Sequence, residues 1–247
     1  MLNKSILLNL QIGWKNFQIV FGLGLSVLLL SLLPNFFAGL ILQIPLMLIA
    51  TYFSYKGLYD MFWRSVFGEG SLTYMTLPFS AKDMVTGKII ASTLYLFSYN
   101  ILFLVIIILS TLTTSGPMAF PGLIFTELFT TSLAQINTND AIFLTLIAAL
   151  LPLVVLASQA SINALLLMLM VQLNLKGNGK GRLWAFIIFF GLNYGINQVS
   201  PILLQWLLPK GIWPFLPLEI TLMVLLVAGT AIMSRITENS LKYRYNG

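Results

Sequence analysis

Apolar residues fall along the chain in six long runs, at residues 17–33, 36–55, 89–112, 141–171, 183–208 and 216–233, and the segments between them hold nearly all of the charge. A helix needs roughly 20 mainly apolar residues to cross the ~30 Å hydrocarbon layer of a bilayer, so each run is a candidate crossing. The pattern predicts an all-α integral membrane protein, with six transmembrane helices forming one membrane domain over 1–247. Pro34 and Asn35 leave room only for a tight turn, so the first two runs form a hairpin. The fourth run is long enough to tilt or to project from the bilayer. Ahead of the first run, Leu2, Ile6, Leu7, Leu10 and Trp14 recur at helical spacing, with Asn3, Lys4, Gln11 and Lys15 free to face water. Residues 1–16 therefore read as an amphipathic interfacial helix anchored by Trp14, the alternative being a frayed beginning of the first span. No small-residue cleavage site follows the first apolar run, which reads as a retained helix and not as a cleaved signal peptide.

Composition supports the membrane reading: 58% of the 247 residues are apolar and 8% are charged, against roughly 25% charged in an ordinary soluble domain. The net charge of +6 would suit nucleic acid if it were gathered on one patch, but the basic residues flank the apolar runs, where they set orientation. With the N-terminus inside, the cytoplasmic segments hold Lys4, Lys15, Lys56, Arg64, Lys82, Lys88, Lys176, Lys180, Arg182, Arg235, Lys242 and Arg244, leaving only Lys210 outside. Glu127, Asp140 and Glu219 fall to the external segments. The expectation is a multi-pass protein of the cell (plasma) membrane with N- and C-termini cytoplasmic and no nucleic-acid partner. The chain has no cysteine and no histidine, which removes disulfides, thiol nucleophiles, imidazole bases and the usual zinc ligands. No ionisable residue stands in the core of a run, as an ion relay would require. Seven scattered carboxylates make no acid–base constellation, so the chain is expected to be non-catalytic and to carry no cofactor or metal.

The connection at 56–88 is longer than most of the others and holds three of the seven acidic residues. From Phe67 it reads FGEGSLTYMTLPFSAKDMVTGKIIAS. Glu69, Gly70 and Ser71 precede a short mixed segment, and Leu77, Pro78, Phe79 and Ser80 then interrupt it. Pro78 disfavours helical geometry in the residue before it, while Ser80 and Asp83 form a Ser-x-x-Asp helix-start signal. The spacing predicts a short helix, a hard break, and a new capped helix running through Gly87 and Lys88 into the membrane. A short rigid helix tethered to a span can act as a lever if a soluble partner grips it; the plainer alternative is a solvated loop that merely turns the chain.

This order of residues resembles the type 2 ABC transporter permeases, in which an acidic residue, Gly-Ser or Gly-Thr, Leu, a spacer, Pro, a small turn and Gly-Lys occupy the same loop. Glu69, Gly70, Ser71, Leu72, Pro78, Ser80, Gly87 and Lys88 match in order, with Phe79 and Asp83 inside the matched stretch. The resemblance extends more loosely to the amphipathic start, the six spans and the cytoplasmic ends. It implies an export permease subunit, paired with a second copy or a sister permease and docked on separate ABC ATPase subunits. Those ATPase partners would bind ATP and Mg. It also implies that the segment 69–76 is the coupling element.

KGNGKGR at 176–182 mixes Gly with Lys but lacks the Gly-x-x-x-x-Gly-Lys-Ser/Thr order of a phosphate loop, so it reads as a positive-inside turn. No such motif occurs anywhere in the sequence. Gln159 and Asn163 are four apart, as are Asn193 and Asn197, so each pair shares a helix face. Ala157, Ala160, Ser161 and Ala164 accompany the first pair, and Gly191 with Gly195 accompanies the second. These residues either line a polar path or pack helices closely. Residues 113–138 carry an apolar stripe, Leu123, Ile124, Phe125, Leu128, Phe129 and Leu133, suited to an outer surface helix or a cap. The cargo of such a permease would be a peptide, lipid or other amphipathic molecule. Two other readings fit six spans: a substrate-binding membrane component of a vitamin-uptake complex, and a non-transporting immunity or assembly factor.

Overall fold

The structure, a computed structural model, describes residues 1–31, 36–67, 79–112, 138–175, 183–185, 187–188, 191 and 215–245. They are almost entirely helical. Helix α1 spans Leu2–Ser31, α2 Phe36–Tyr59, α3 Ala81–Leu112, α4 Thr138–Leu175 and α5 Phe215–Tyr245, and a π-helical turn at Asp60–Arg64 follows α2. Among the described residues, four helices are long and apolar enough to cross a membrane: α1, α3, α4 and α5. Residues 183–185, 187–188 and 191 of the fifth predicted span are helical, and the rest of that span lies outside the described residues. So does the apolar stripe of 113–138.

Several boundaries differ from those expected. No break separates residues 1–16 from the first span: the expected interfacial segment forms the first four turns of one 30-residue helix. Lys4, Gln11 and Lys15 are exposed as expected, but so are Leu7 and Trp14. The buried side of α1 is Ser5, Asn9, Gly13, Asn16, Val20 and Val27. Small and polar residues face the protein while Leu7, Trp14, Phe21, Leu25 and Leu29 face outward. That distribution suits a lipid solvent, in which large side chains gain nothing by leaving the surface and close packing selects small ones. Helix α2 runs past the predicted limit at residue 55, because nothing in YKGLY breaks it before the π-helical turn. Pro45 and Pro152 sit inside α2 and α4 without ending them. Helix α5 continues twelve residues beyond 233, and Glu219, assigned above to an outer connection, stands in its second turn. The Lys242 ammonium donates to Glu238 Oε1 at 2.6 Å in the final turns.

The expected membrane domain is organised as two compact units. One comprises Met1–Ile6, Leu72–Thr93 and Asn137–Gly247, the other Leu7–Ser71 and Leu94–Ile136.

In the first unit α4 and α5 pack along their length. Gln172 Nε2 donates to Ser240 Oγ, and Gly229 faces Ser161; both pairs are 68 residues apart, so the two helices run parallel. Helix α3 begins beside their ends, where Lys82 adds its field to that of Lys242 and Arg235 around Glu238. About three turns on, Thr93 accepts a hydrogen bond from Asn163 Nδ2 at 3.3 Å, so α3 runs against α4. The start of α1 joins the same end, with Ser5 against Gly87.

In the second unit α2 is antiparallel to both neighbours. Gln43 Nε2 donates to the Val27 carbonyl and Asn16 to Asp60, while Thr51 Oγ1 meets Tyr99 Oη at 3.3 Å. Helices α1 and α3 run parallel, since Gly13 faces Tyr95 and Gly24 faces Ile106, each pair 82 residues apart.

Candidate functional site

The residues singled out by the loop pattern fall into two groups. Glu69, Gly70, Ser71, Leu72 and Pro78 lie outside the described residues. Phe79, Ser80, Asp83, Gly87 and Lys88 form the exit of the loop. Its entrance is the end of α2 with the π-helical turn, which the sequence pattern did not single out.

At the exit residues 79–80 belong to no helix, and the chain becomes helical at Ala81. Ser80 Oγ accepts the Asp83 backbone N–H at 3.0 Å, its hydroxyl donates to Asp83 Oδ2 at 2.9 Å, and the Ser80 carbonyl accepts the Met84 N–H at 3.0 Å. This is the reciprocal cap that the Ser-x-x-Asp spacing predicts, and the Asp83 carboxylate also faces the positive end of the helix dipole. Replacing Ser80 by alanine leaves an amide without its partner at an exposed helix start. It should lower stability by about 1 kcal/mol, read as a drop of a few degrees in the thermal midpoint of the detergent-solubilised chain, with Ser80→Thr close to wild type.

Beyond the cap α3 enters the first unit at once: Met84, Val85, Gly87, Lys88 and Ile89 are all buried. Gly87 is required by close approach, since a Cβ there would collide with Ser5 Oγ. Lys88 is fully buried one residue later. The sequence placed Lys88 in the loop, and the structure draws it inside the helix packing.

At the entrance Asp60, half-buried, accepts a hydrogen bond from Asn16 Nδ2 at 3.0 Å, and Asn16 is 5% exposed. Met61, Phe62 and Val66 are buried, with Met61 seated against Gly13. Ser65 Oγ donates to the Met61 carbonyl. Tyr59, Trp63 and Phe67 stack in succession, centroids 6.3 and 5.1 Å apart. A π-helical turn widens the helix and commonly marks a functional position. The sequence signal was present in Ser5, Asn9 and Asn16, polar residues spaced by four and seven on a mainly apolar helix.

The polar and small residues singled out within the predicted spans are split. Asn163 is buried and bonds across to Thr93, whose hydroxyl donates to the Ile89 carbonyl at 2.7 Å. Ala164 beside it is buried and Ser161 faces Gly229, so this stretch makes the close helix interface that its small residues suggest. Gln159, one turn away, is half-buried. Gly191 is exposed, and Asn193, Gly195 and Asn197 lie outside the described residues. No protein-family model, curated protein or solved structure matches this chain.

Proposed function

We propose that this chain is the membrane-spanning permease subunit of an ATP-driven ABC exporter, moved by separate ATPase subunits that dock on the loop between α2 and α3. The observation that carries the reading is the reciprocal Ser80–Asp83 cap, which starts a buried membrane helix directly after the resembling segment 69–78. A lever needs a firm seat at each end, and both ends of this loop are seated by buried residues. The sequence holds no phosphate-binding loop, so ATP and Mg would bind on the partner. The permease would work paired with a second copy or a sister permease in the cell membrane, with a peptide, lipid or other amphipathic cargo.

The helix directions support six spans with both termini on one side. Helix α5 starts at the end of the α4–α5 pair opposite to where α4 stops: in register, Leu175 stands level with Tyr243, 68 residues on, whereas α5 begins at Phe215. The chain must return about 42 Å between them, which takes about 28 helical residues, and the apolar run 183–208 is suited to that return. Charge bias then assigns the shared end to the cytoplasm.

Purification of the full chain from native membranes in mild detergent tests the reading. An ATP-hydrolysing subunit should co-elute with it; Glu69→Lys should reduce the retained subunit by roughly tenfold, the loss of one anchoring charged contact, and Pro78→Gly should also reduce it by loosening the break that sets the loop helix, while membrane insertion is unchanged. Elution without any such subunit, together with full activity of both variants in cells, rejects the proposal.

A further inference from the structure

Resting on that reading, we infer that the Asn16–Asp60 hydrogen bond is a latch joining the entrance of the loop to α1, so that α1 moves with the loop together with α2 and α3. Asp60 is the first residue of the π-helical turn and lies just after Tyr59, the first ring of the aromatic run that continues through Trp63 and Phe67 toward the loop. Its carboxylate is held by an amide from another helix at 3.0 Å, and that amide is buried. A hydrogen bond to an ionised acceptor is among the stronger neutral-donor contacts, and low surrounding polarity makes it costly to break.

The latch does not act alone. Met61 packs into the space left by Gly13, one turn from Asn16 on the same face of α1. Tyr95 covers that glycine from α3 and covers Gly57 from above α2, so the three helices are wedged at this level. Polar contact and steric fit therefore hold the turn to α1 within the second unit. Within the first unit, the opening turn of α1 is again in contact with the loop's exit, through Ser5 and Gly87. Both ends of the loop thus touch the same helix. Helix α1 has no proline in its 30 residues, and at 1.5 Å per residue it is about 45 Å long.

The test has two arms on the full chain. In lipid nanodiscs without a partner, amide hydrogen exchange of residues 58–67 should quicken roughly tenfold in Asn16→Leu, the change expected for loss of one charged hydrogen bond. The swapped pair Asn16→Asp with Asp60→Asn restores donor and acceptor in reverse and should return exchange to the wild-type rate. Unchanged exchange in Asn16→Leu, or no recovery in the swap, overturns the latch.

In the co-purified assembly, Gln11→Cys on the exposed side of α1 gives a unique thiol, because the chain has no other cysteine. Its maleimide labelling rate should change when ATP is added, and that change should vanish in Asn16→Leu and return in the swap. A response that persists in Asn16→Leu overturns transmission through the latch. If no ATPase accompanies the chain while the exchange result and its rescue both hold, the exporter reading falls and the latch stands.

Discussion

Gly57→Val is expected to be among the most damaging single changes in the second unit, lowering stability by about 2–3 kcal/mol. A Cβ at Gly57 would stand 2.6 Å from Tyr95 Cζ and 3.1 Å from Cε1, and would overlap the hydroxyl. The ring has no free side to move toward. Its opposite edge lies over Gly13 of α1, where an added Cβ would be 3.3 and 3.4 Å from Cδ2 and Cε2, and Phe17 packs edge-on at 6.1 Å. Tyr95 is therefore held in a notch made by two glycines on two helices, and either the ring leaves or the helices part. Interiors this dense respond to added volume by strain and not by gradual yielding. At a few degrees per kcal/mol for a chain of this size, the apparent melting temperature in nanodiscs should fall by roughly 5–10 °C. Gly22→Val is the control: a Cβ there meets nothing within 4 Å, and the midpoint should stay within a degree or two. Tyr95→Val should be harmful alone yet recover part of the loss when combined with Gly57→Val, because it vacates the volume that the new side chain needs. A Gly57→Val midpoint equal to that of Gly22→Val would show that the notch does not exist.

The same notch shows which parts of this fold can be read from residues alone. Helix existence follows from apolar runs, because a backbone in hydrocarbon must satisfy its own hydrogen bonds. The cap at Ser80 is equally local, depending on two residues three apart, and it is found where the spacing puts it. Facing is different. On α1 the apolar stripe Leu2, Ile6, Leu7, Leu10 and Trp14 reads as the membrane-lying side of an interfacial helix, which leaves open the residues that meet other helices. In the structure Leu7 and Trp14 are turned outward, and Ser5, Asn9, Gly13 and Asn16 meet the neighbouring helices. Hydrophobicity does not discriminate inside from outside when the solvent is lipid. Lys88 and Asp60 illustrate the related point for charge: both stand close to the loop in the sequence, and only helix packing reveals that one is fully buried and the other half-buried against Asn16. The partner of Asp60 lies 44 residues away, a separation at which no local pattern speaks.

Cysteines placed at Asn178 and Gly211 are expected to label from opposite sides of the membrane. The chain has no cysteine of its own, so each variant carries one thiol, and a membrane-impermeant maleimide added to intact cells should reach Gly211→Cys while Asn178→Cys reacts only after permeabilisation. Asn246→Cys, near the C-terminus, should behave like Asn178→Cys. The expectation follows from direction and not from hydropathy. Helices α4 and α5 are parallel, because the contacts Ser161–Gly229 and Gln172–Ser240 share one offset. Two parallel neighbours joined in sequence cannot be connected by a short turn at one end. A re-entrant loop, which dips in and returns to its own side, would deliver the chain to the wrong end of α5 by about 42 Å, more than the ~30 Å apolar layer. An odd number of crossings is left, and the 39 residues between Leu175 and Phe215 are long enough for one. Labelling of Asn178→Cys and Gly211→Cys from the same side would remove that crossing and, with it, the shared side of the two termini. Labelling of Asn178→Cys in intact cells would go further and place Lys176, Lys180 and Arg182 outside, contrary to the retention of positive charge in the cytoplasm. The first outcome would count against the parallel packing of α4 and α5, the second against the orientation drawn from charge, so the one experiment separates the two supports on which the six-span topology rests.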